Sequence, residues 1–298
     1  MPNPAAIWWE AARPKTLWAA VSPVLIGIAL AVYFGVFHAL SASLALMGAI
    51  LIQIGTNFFN DLADFKKGAD TKERTGPRRM VQAGLVSEQA MRVATYATFG
   101  LAVLSGVYLM LRGGLPIVVI GFSSILFGIA YTGGKYSLAY LGIADVFVLV
   151  FFGPIAVAGT FFVQALEWPE VIWFVGLAPG LLAVAILLVN NIRDRVQDAK
   201  ASKRTLVVRL GRPFAEWLYL ACSLAAVFVA IAAWKFYDAP ALILLSLGAF
   251  PLMIQSWLQL RSIPEHEAAK MNPILGQTAR NLLVYSVLIS LGWILGAA

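Results

Sequence analysis

Nine segments of the chain, 17–37, 40–60, 89–111, 114–132, 143–166, 169–192, 214–234, 240–260 and 278–297, are each long and apolar enough to cross a bilayer. Backbone amides in hydrocarbon must find their partners within the segment, so runs of this length are expected to be helices. The chain reads as an all-α membrane protein, with nine transmembrane helices in a single bundle. In 298 residues, nine spans leave little chain for a separate soluble domain. Composition agrees. The sequence is 60% hydrophobic and only 12% charged, where soluble domains are about half apolar and a quarter charged, so a water-soluble globule and a disordered chain are both excluded. The single cysteine, Cys222, cannot form an internal disulfide, and His38 and His266 are too far apart in sequence to suggest a Cys/His zinc site.

The spans sort the charges. Of the 22 Lys and Arg residues, 20 fall in the N-terminus and the loops on its side, and only Arg112 and Lys235 fall opposite. The positive-inside rule then puts the N-terminus and the long loops in the cytoplasm and the C-terminus outside. A basic excess spread over loops in this way does not suggest a nucleic-acid partner. Residues 1–18 lack a signal-peptide layout, and Ile7, Trp8, Trp9, Arg13, Lys15 and Trp18 suggest an interfacial lead-in helix.

The chemistry concentrates where the second and sixth spans meet the long loops. The first stretch contains Asn57, Asp61 and Asp64, and the second contains Asn191, Asp194 and Asp198. At about 100° per residue, each trio falls within one narrow helical face. Carboxylates beside hydrocarbon are costly and usually functional. Paired aspartates are hard oxygen ligands suited to Mg²⁺, which tends to bridge to substrate phosphates. Lys66, Lys67, Arg78, Arg79, Lys200, Lys203 and Arg204 nearby could add charge-assisted contacts to phosphate oxygens. A single motif reads equally well as a helix end solvating its loop, but two matching motifs on one side favour an anion–metal site. The repetition also suggests two four-helix blocks, about 17–132 and 143–260, followed by a ninth helix at 278–297.

With these motifs the chain resembles the UbiA-type intramembrane aromatic prenyltransferases, whose Asp-rich motifs lie on the second and sixth of nine helices. Arg13-Pro14-Lys15-Thr16-Leu17, Gly76-Pro77-Arg78, Gly84-Leu85-Val86-Ser87, Tyr131-Thr132-Gly133-Gly134 and Met271-Asn272-Pro273-Ile274-Leu275 extend the resemblance over nearly the whole chain. It is greatest to the branch that prenylates 1,4-dihydroxy-2-naphthoate. Where the family usually has Gly-x-Gly-Glu, this chain has Gly142-Ile143-Ala144-Asp145.

The resemblance implies a central cavity open to the cytoplasmic face and multi-pass residence in a bacterial cytoplasmic membrane. It also implies Mg²⁺-dependent transfer of a polyprenyl group from its diphosphate to the naphthoate with loss of the carboxylate, giving demethylmenaquinone. Asp61, Asp64, Asp194 and Asp198 would hold Mg²⁺, with Asn57 and Asn191 orienting metal-bound water or the carboxylates. Lys135, Arg78 or Arg79 would meet the aromatic carboxylate, and Tyr131 a ring hydroxyl. Lys135 reads equally as a topological anchor, Tyr131 as an interfacial tyrosine and Asp145 as a helix cap. Competing readings are a prenyltransferase with another acceptor such as 4-hydroxybenzoate, an ion-coupled transporter, and a CDP-alcohol phosphotransferase. The transporter fits less well because transporter sites tend to lie near the midplane. The long signature of the phosphotransferase is absent from the sequence.

Overall fold

A computed structural model of the chain describes residues 3–68, 76–134 and 137–297, with Ala139 described by its backbone alone. Lys135 and Asp70 lie outside the described residues. The described residues form helices and connecting turns, and nine of the helical stretches are long and apolar enough to span a membrane. The protein is a multi-pass integral membrane protein. A short lead-in helix, α1 (Pro4–Ala12), is followed by α2 (Pro14–Tyr33), α3 (Ala39–Lys66), α4 (Glu88–Gly113) and α5 (Leu115–Thr132). After a single turn, α6 (Leu138–Leu141), the fifth span is built from α7 (Ala144–Phe151) and α8 (Pro154–Ala165). Then come α9 (Glu170–Lys200), the short α10 (Leu206–Leu210), α11 (Arg212–Phe236), a 3₁₀ stretch (Ala241–Ala249) running into α12 (Phe250–Ser262), and α13 (Asn272–Leu295).

Local chemistry sets these boundaries. Pro14, Pro116, Pro154, Pro213, Pro251 and Pro273 stand in first turns, where the missing N–H costs nothing. The His38 ring nitrogen accepts from Ser41 N and caps α3, and the Ser87 hydroxyl accepts from Ala90 N and caps α4. Arg13 has φ +52 and both closes α1 and opens α2. Arg112 donates to the Val163 and Gln164 carbonyls and so satisfies the last turn of α8.

The expected spans are present with two physical differences. The second and sixth run on past their expected ends at 60 and 192 to Lys66 and Lys200, so both aspartate segments are helical, as the shared face of each trio implied. The fifth is interrupted, and the eighth changes from 3₁₀ to α helix at Phe250 without a gap. Pro154 restarts the helix after the fifth-span break and Pro251 stands in the first turn of α12, whereas Pro23 lies within α2. At the fifth-span break, a Cβ on Gly153 would lie 2.7 Å from the Gly176 carbonyl and 2.9 Å from Gly180 Cα, so this crossing with α9 needs backbone-to-backbone contact. Gly100 and Gly121, by contrast, face no atom within 4 Å.

The largest core surrounds α9, whose apolar window is 72% buried, with Ile172, Val175, Leu188 and Ile192 wholly enclosed. Helices α2, α8, α11 and α13 pack around it, while α4 and α5 bury far less of their apolar windows, and residues of both line an internal cavity. One loop contact bears on the site. Gly142 has φ +74, and a Cβ there would fall 2.1 Å from the Arg204 carbonyl oxygen, while Arg204 N donates to Tyr140 O at 3.3 Å. The turn after α9 therefore seats on the turn after α6. Gly142→Ala is expected to destabilise the protein by about 2 kcal/mol and to expose the 201–205 turn, whereas Gly100→Ala is neutral or slightly stabilising. Thermal unfolding in detergent with limited proteolysis at Arg204 checks both.

Candidate active site

The C-terminal ends of α3 and α9 come together. Beyond Asp194, α9 continues one turn further than α3 does beyond Asp64, and that extra turn carries Asp198. Each helix then stops at a residue in the left-handed region, Gly68 (φ +64) or Ser202 (φ +58), four positions past its last described carboxylate.

Cations and carboxylates alternate across this junction. Asp64 is buried, and the buried Arg79 guanidinium donates to its Oδ2 in a very short bond. Asp64 Oδ1 accepts no hydrogen bond and faces Lys203 Nζ at 3.7 Å. The same ammonium lies 3.8 Å from Asp198 Oδ1, so one lysine spans the two motifs. Asp194 is held two-pronged by its neighbour Arg193, with Nε to Oδ1 at 2.8 Å and Nη2 to Oδ2 at 2.6 Å. Arg193 also donates to Asn190 Oδ1 at 2.6 Å and Asn272 Oδ1 at 3.0 Å, tying the motif to the start of α13. Asn60 Oδ1 accepts from the Thr132 hydroxyl at 2.7 Å, and Lys67 Nζ donates to the Thr132 carbonyl. Desolvation lowers the Lys67 pKa from the ordinary lysine value; the Asp64 charge opposes this and the Lys203 charge adds to it. Lys67 and Lys203 both lie over the Tyr140 ring, 4.4 and 5.6 Å from its centroid.

A cavity of about 890 Å³ meets this junction. Asn60, Asp64, Arg79, Asn190, Asn191, Asp194, Asp198 and Lys203 line its polar part, with Arg13 and Lys15 also on the wall. The rest is largely apolar, including Phe122, Ile125, Phe127, Phe147, Phe151 and Ile155. A few convergent charges beside an apolar tunnel suit an amphiphile with an anionic head and a hydrocarbon tail.

The expected site residues divide. Asp64, Asp194, Asp198, Asn57, Asn191, Arg79, Tyr131 and Lys203 line the cavity. Asp61 does not. It accepts from the Met80 and Val81 backbone amides at 2.9 and 3.1 Å and so organises the loop that carries Arg79. The Asn57 amide donates to the Ala12 carbonyl and the Thr16 hydroxyl, bracing the α1–α2 junction rather than any carboxylate. Arg78 is exposed and pairs with Glu10 at 3.0 Å. Lys66, Lys200 and Arg204 are exposed and lie off the cavity wall. Asp145 is buried off the wall, and its Oδ1 has no hydrogen-bond partner. Sequence reasoning missed Asn60, Asn190 and Arg193. A signal was present: Asn60 and Asp64 have the same four-residue spacing as Asn190 and Asp194.

The carboxylate oxygens are the donors Mg²⁺ prefers, and Asp64 Oδ1 is a buried acceptor without a hydrogen bond, so the residues fit such an ion. Among the described residues no three His, Cys, Asp or Glu side chains form a cage by themselves. An ion here would take further ligands from water or substrate phosphate, as Mg²⁺ commonly does.

Nine spans, paired carboxylates and an amphiphile-shaped cavity have a counterpart among known proteins. Residues 20–290 match the UbiA prenyltransferase family, and the chain belongs to it. It is 38% identical to the 1,4-dihydroxy-2-naphthoate octaprenyltransferase of Escherichia coli (strain K12), covering 96% of this chain and 94% of that one. It is 33% identical to the enzyme of the same name from Mycobacterium tuberculosis (strain ATCC 25618 / H37Rv), over 96% of each. The fold matches a UbiA homologue from Archaeoglobus fulgidus solved bound to GPP and Mg²⁺, with a TM-score of 0.59 at 17% identity over 95% of this chain and 99% of that one.

Asp61→Asn replaces an oxygen facing a backbone amide with an NH₂ group. The variant is expected to lose about 2 kcal/mol of stability and to open the 76–87 loop to protease. Asp194→Asn, whose carboxylate is held by Arg193 of its own helix, is expected to leave that loop protected. Proteolysis of the two variants side by side checks the division of roles.

Proposed function

We propose that the protein transfers a polyprenyl group from polyprenyl diphosphate to 1,4-dihydroxy-2-naphthoate, with loss of the ring carboxylate as CO₂, giving demethylmenaquinone in its reduced, quinol form. The observation that carries this reading is the convergence of Asp64, Asp194 and Asp198 with Arg79 and Lys203 at the head of an apolar cavity. The acceptor rests on the names of the relatives, each of which spans nearly the same length as this chain.

Asp64, Asp194 and Asp198 would hold Mg²⁺. Bound there, the ion supplies neutralisation of charge developing on the leaving diphosphate. Arg193 keeps Asp194 oriented, as partners behind a ligand do. Arg79 and Lys203 meet the diphosphate oxygens. The allylic C–O bond breaks with its electron pair going to diphosphate, a ring carbon of the electron-rich naphthoate forms the new C–C bond, and the carboxylate leaves as CO₂ as the ring regains its aromaticity. The aromatic wall houses the prenyl chain and keeps water from the allylic cation. Arg13 and Lys15, on the cavity wall, are candidates to meet the acceptor carboxylate, and Tyr131 a ring hydroxyl. The 20-to-2 charge asymmetry supports a cytoplasmic N-terminus and active-site face in a bacterial cytoplasmic membrane, with the C-terminus outside. The packing of α3 on α4 and of α9 on α11 supports two related blocks, 17–132 and 143–260.

Membranes given labelled polyprenyl diphosphate and either naphthoate or 4-hydroxybenzoate are expected to prenylate only the naphthoate. A product with hydroxybenzoate alone would overturn the acceptor. Asp64→Asn and Asp194→Asn are each expected to lower transfer at least a hundredfold, about 2.7 kcal/mol, without loss of membrane insertion.

A further inference from the structure

Lys203 is held in a way that separates its backbone from its ammonium. The end of α9 forms a Schellman turn: Lys203 N donates to Asp198 O at 2.8 Å and Ser202 N to Ala199 O at 3.1 Å, with Ser202 at φ +58. The next residue is pinned as well, because Arg204 N bonds the Tyr140 carbonyl and its own carbonyl packs against Gly142. The side chain is a flexible four-carbon stem with a point charge at its tip. That tip sits in the gap between Asp64 Oδ1 on α3 and Asp198 Oδ1 on α9, 3.7 and 3.8 Å away. Neither contact is a short hydrogen bond, so each is chiefly electrostatic. The Tyr140 ring, 5.6 Å away, offers the ammonium a further resting surface.

A divalent ion held by both of these carboxylates would compete with the ammonium for the space between them. A divalent ion and an ammonium sharing it would repel strongly at low dielectric. We infer that Lys203 is a resident counter-cation: it neutralises the facing carboxylates, yields the gap to a divalent ion, and swings onto the diphosphate oxygens as it does so. Metal and diphosphate binding are then coupled through one side chain. By linkage, each ligand favours the other, because each draws Lys203 away from the carboxylates or profits from its leaving. This rests on the reading of Asp64 and Asp198 as metal ligands.

The test uses the full-length protein in detergent, with Mn²⁺ as the metal probe read by electron paramagnetic resonance and inorganic pyrophosphate as the anion, in the absence of prenyl substrate. Lys203→Gln is expected to tighten Mn²⁺ binding by about tenfold, or about 1.4 kcal/mol. It is also expected to weaken pyrophosphate binding to the Mn²⁺-loaded protein several-fold. A lysine that merely braced the fold would shift both affinities downward, with a lower thermal midpoint. Lys203→Arg keeps the charge and grips carboxylates in a fork, so it is expected to weaken Mn²⁺ binding, which preserves the test should the glutamine variant not fold. Unchanged or weaker Mn²⁺ binding in a folded Lys203→Gln protein overturns the counter-cation role alone. Should Mn²⁺ fail to bind the unaltered protein, or bind Asp64→Asn and Asp198→Asn as well as it binds the parent, the metal reading falls and takes this inference with it.

Discussion

The contact between the ends of α3 and α9 is electrostatic, and the site depends on it. Two helices from different parts of the chain each end in buried or half-buried carboxylates. Taken out of water unpaired, each ionised carboxylate would cost several kcal/mol. Arg79, Lys203 and Arg193 interleave with Asp64, Asp198 and Asp194, and the alternation makes burial tolerable. The arrangement contributes modestly to net stability but strongly to geometry. Removing one member leaves its partner's charge buried and uncompensated, at about 3–5 kcal/mol.

That junction is held from outside by irregular backbone. The loop carrying Arg79 is anchored by two amides on Asp61, and the turn carrying Lys203 rests on Gly142 and Tyr140. Arg193 fastens α9 to α13 through Asn272. The fifth span breaks at Gly153, where it crosses α9, and Phe151, Phe152 and Ile155 around that break line the cavity. Non-helical backbone at membrane depth is tolerated where protein or a cavity receives it, and here the cavity lies beside it. Charged head and apolar wall together would suit a reaction that needs a leaving diphosphate stabilised and water kept away, and the chain belongs to the UbiA prenyltransferase family.

Most of the fold was legible because bilayer physics leaves few choices. The family was legible as well, from motifs distributed along the chain, and residues 20–290 match it. The individual site residues were only partly legible. A helical wheel puts Asn57, Asp61 and Asp64 in one sector, yet their partners differ: Asp64 meets Arg79 and Lys203 at the α3–α9 junction. Asp61 turns to the Met80 and Val81 amides, and Asn57 to Ala12 and Thr16. About 60° of arc is enough for neighbouring side chains to meet different partners.

The sequence by itself determined nine spans, a strong charge asymmetry and two aspartate-bearing helix ends, because hydrophobic length and local charge are properties of short segments. Only the tertiary structure decided which carboxylates face each other. It turned Asp61 toward a loop, made Arg193 the clamp on Asp194, and set Lys203 between Asp64 and Asp198. Those outcomes depend on contacts between segments up to 139 positions apart, Asp64 to Lys203 being the longest of the ion pairs named here. No local period encodes such a distance, and packing around α9 supplies it.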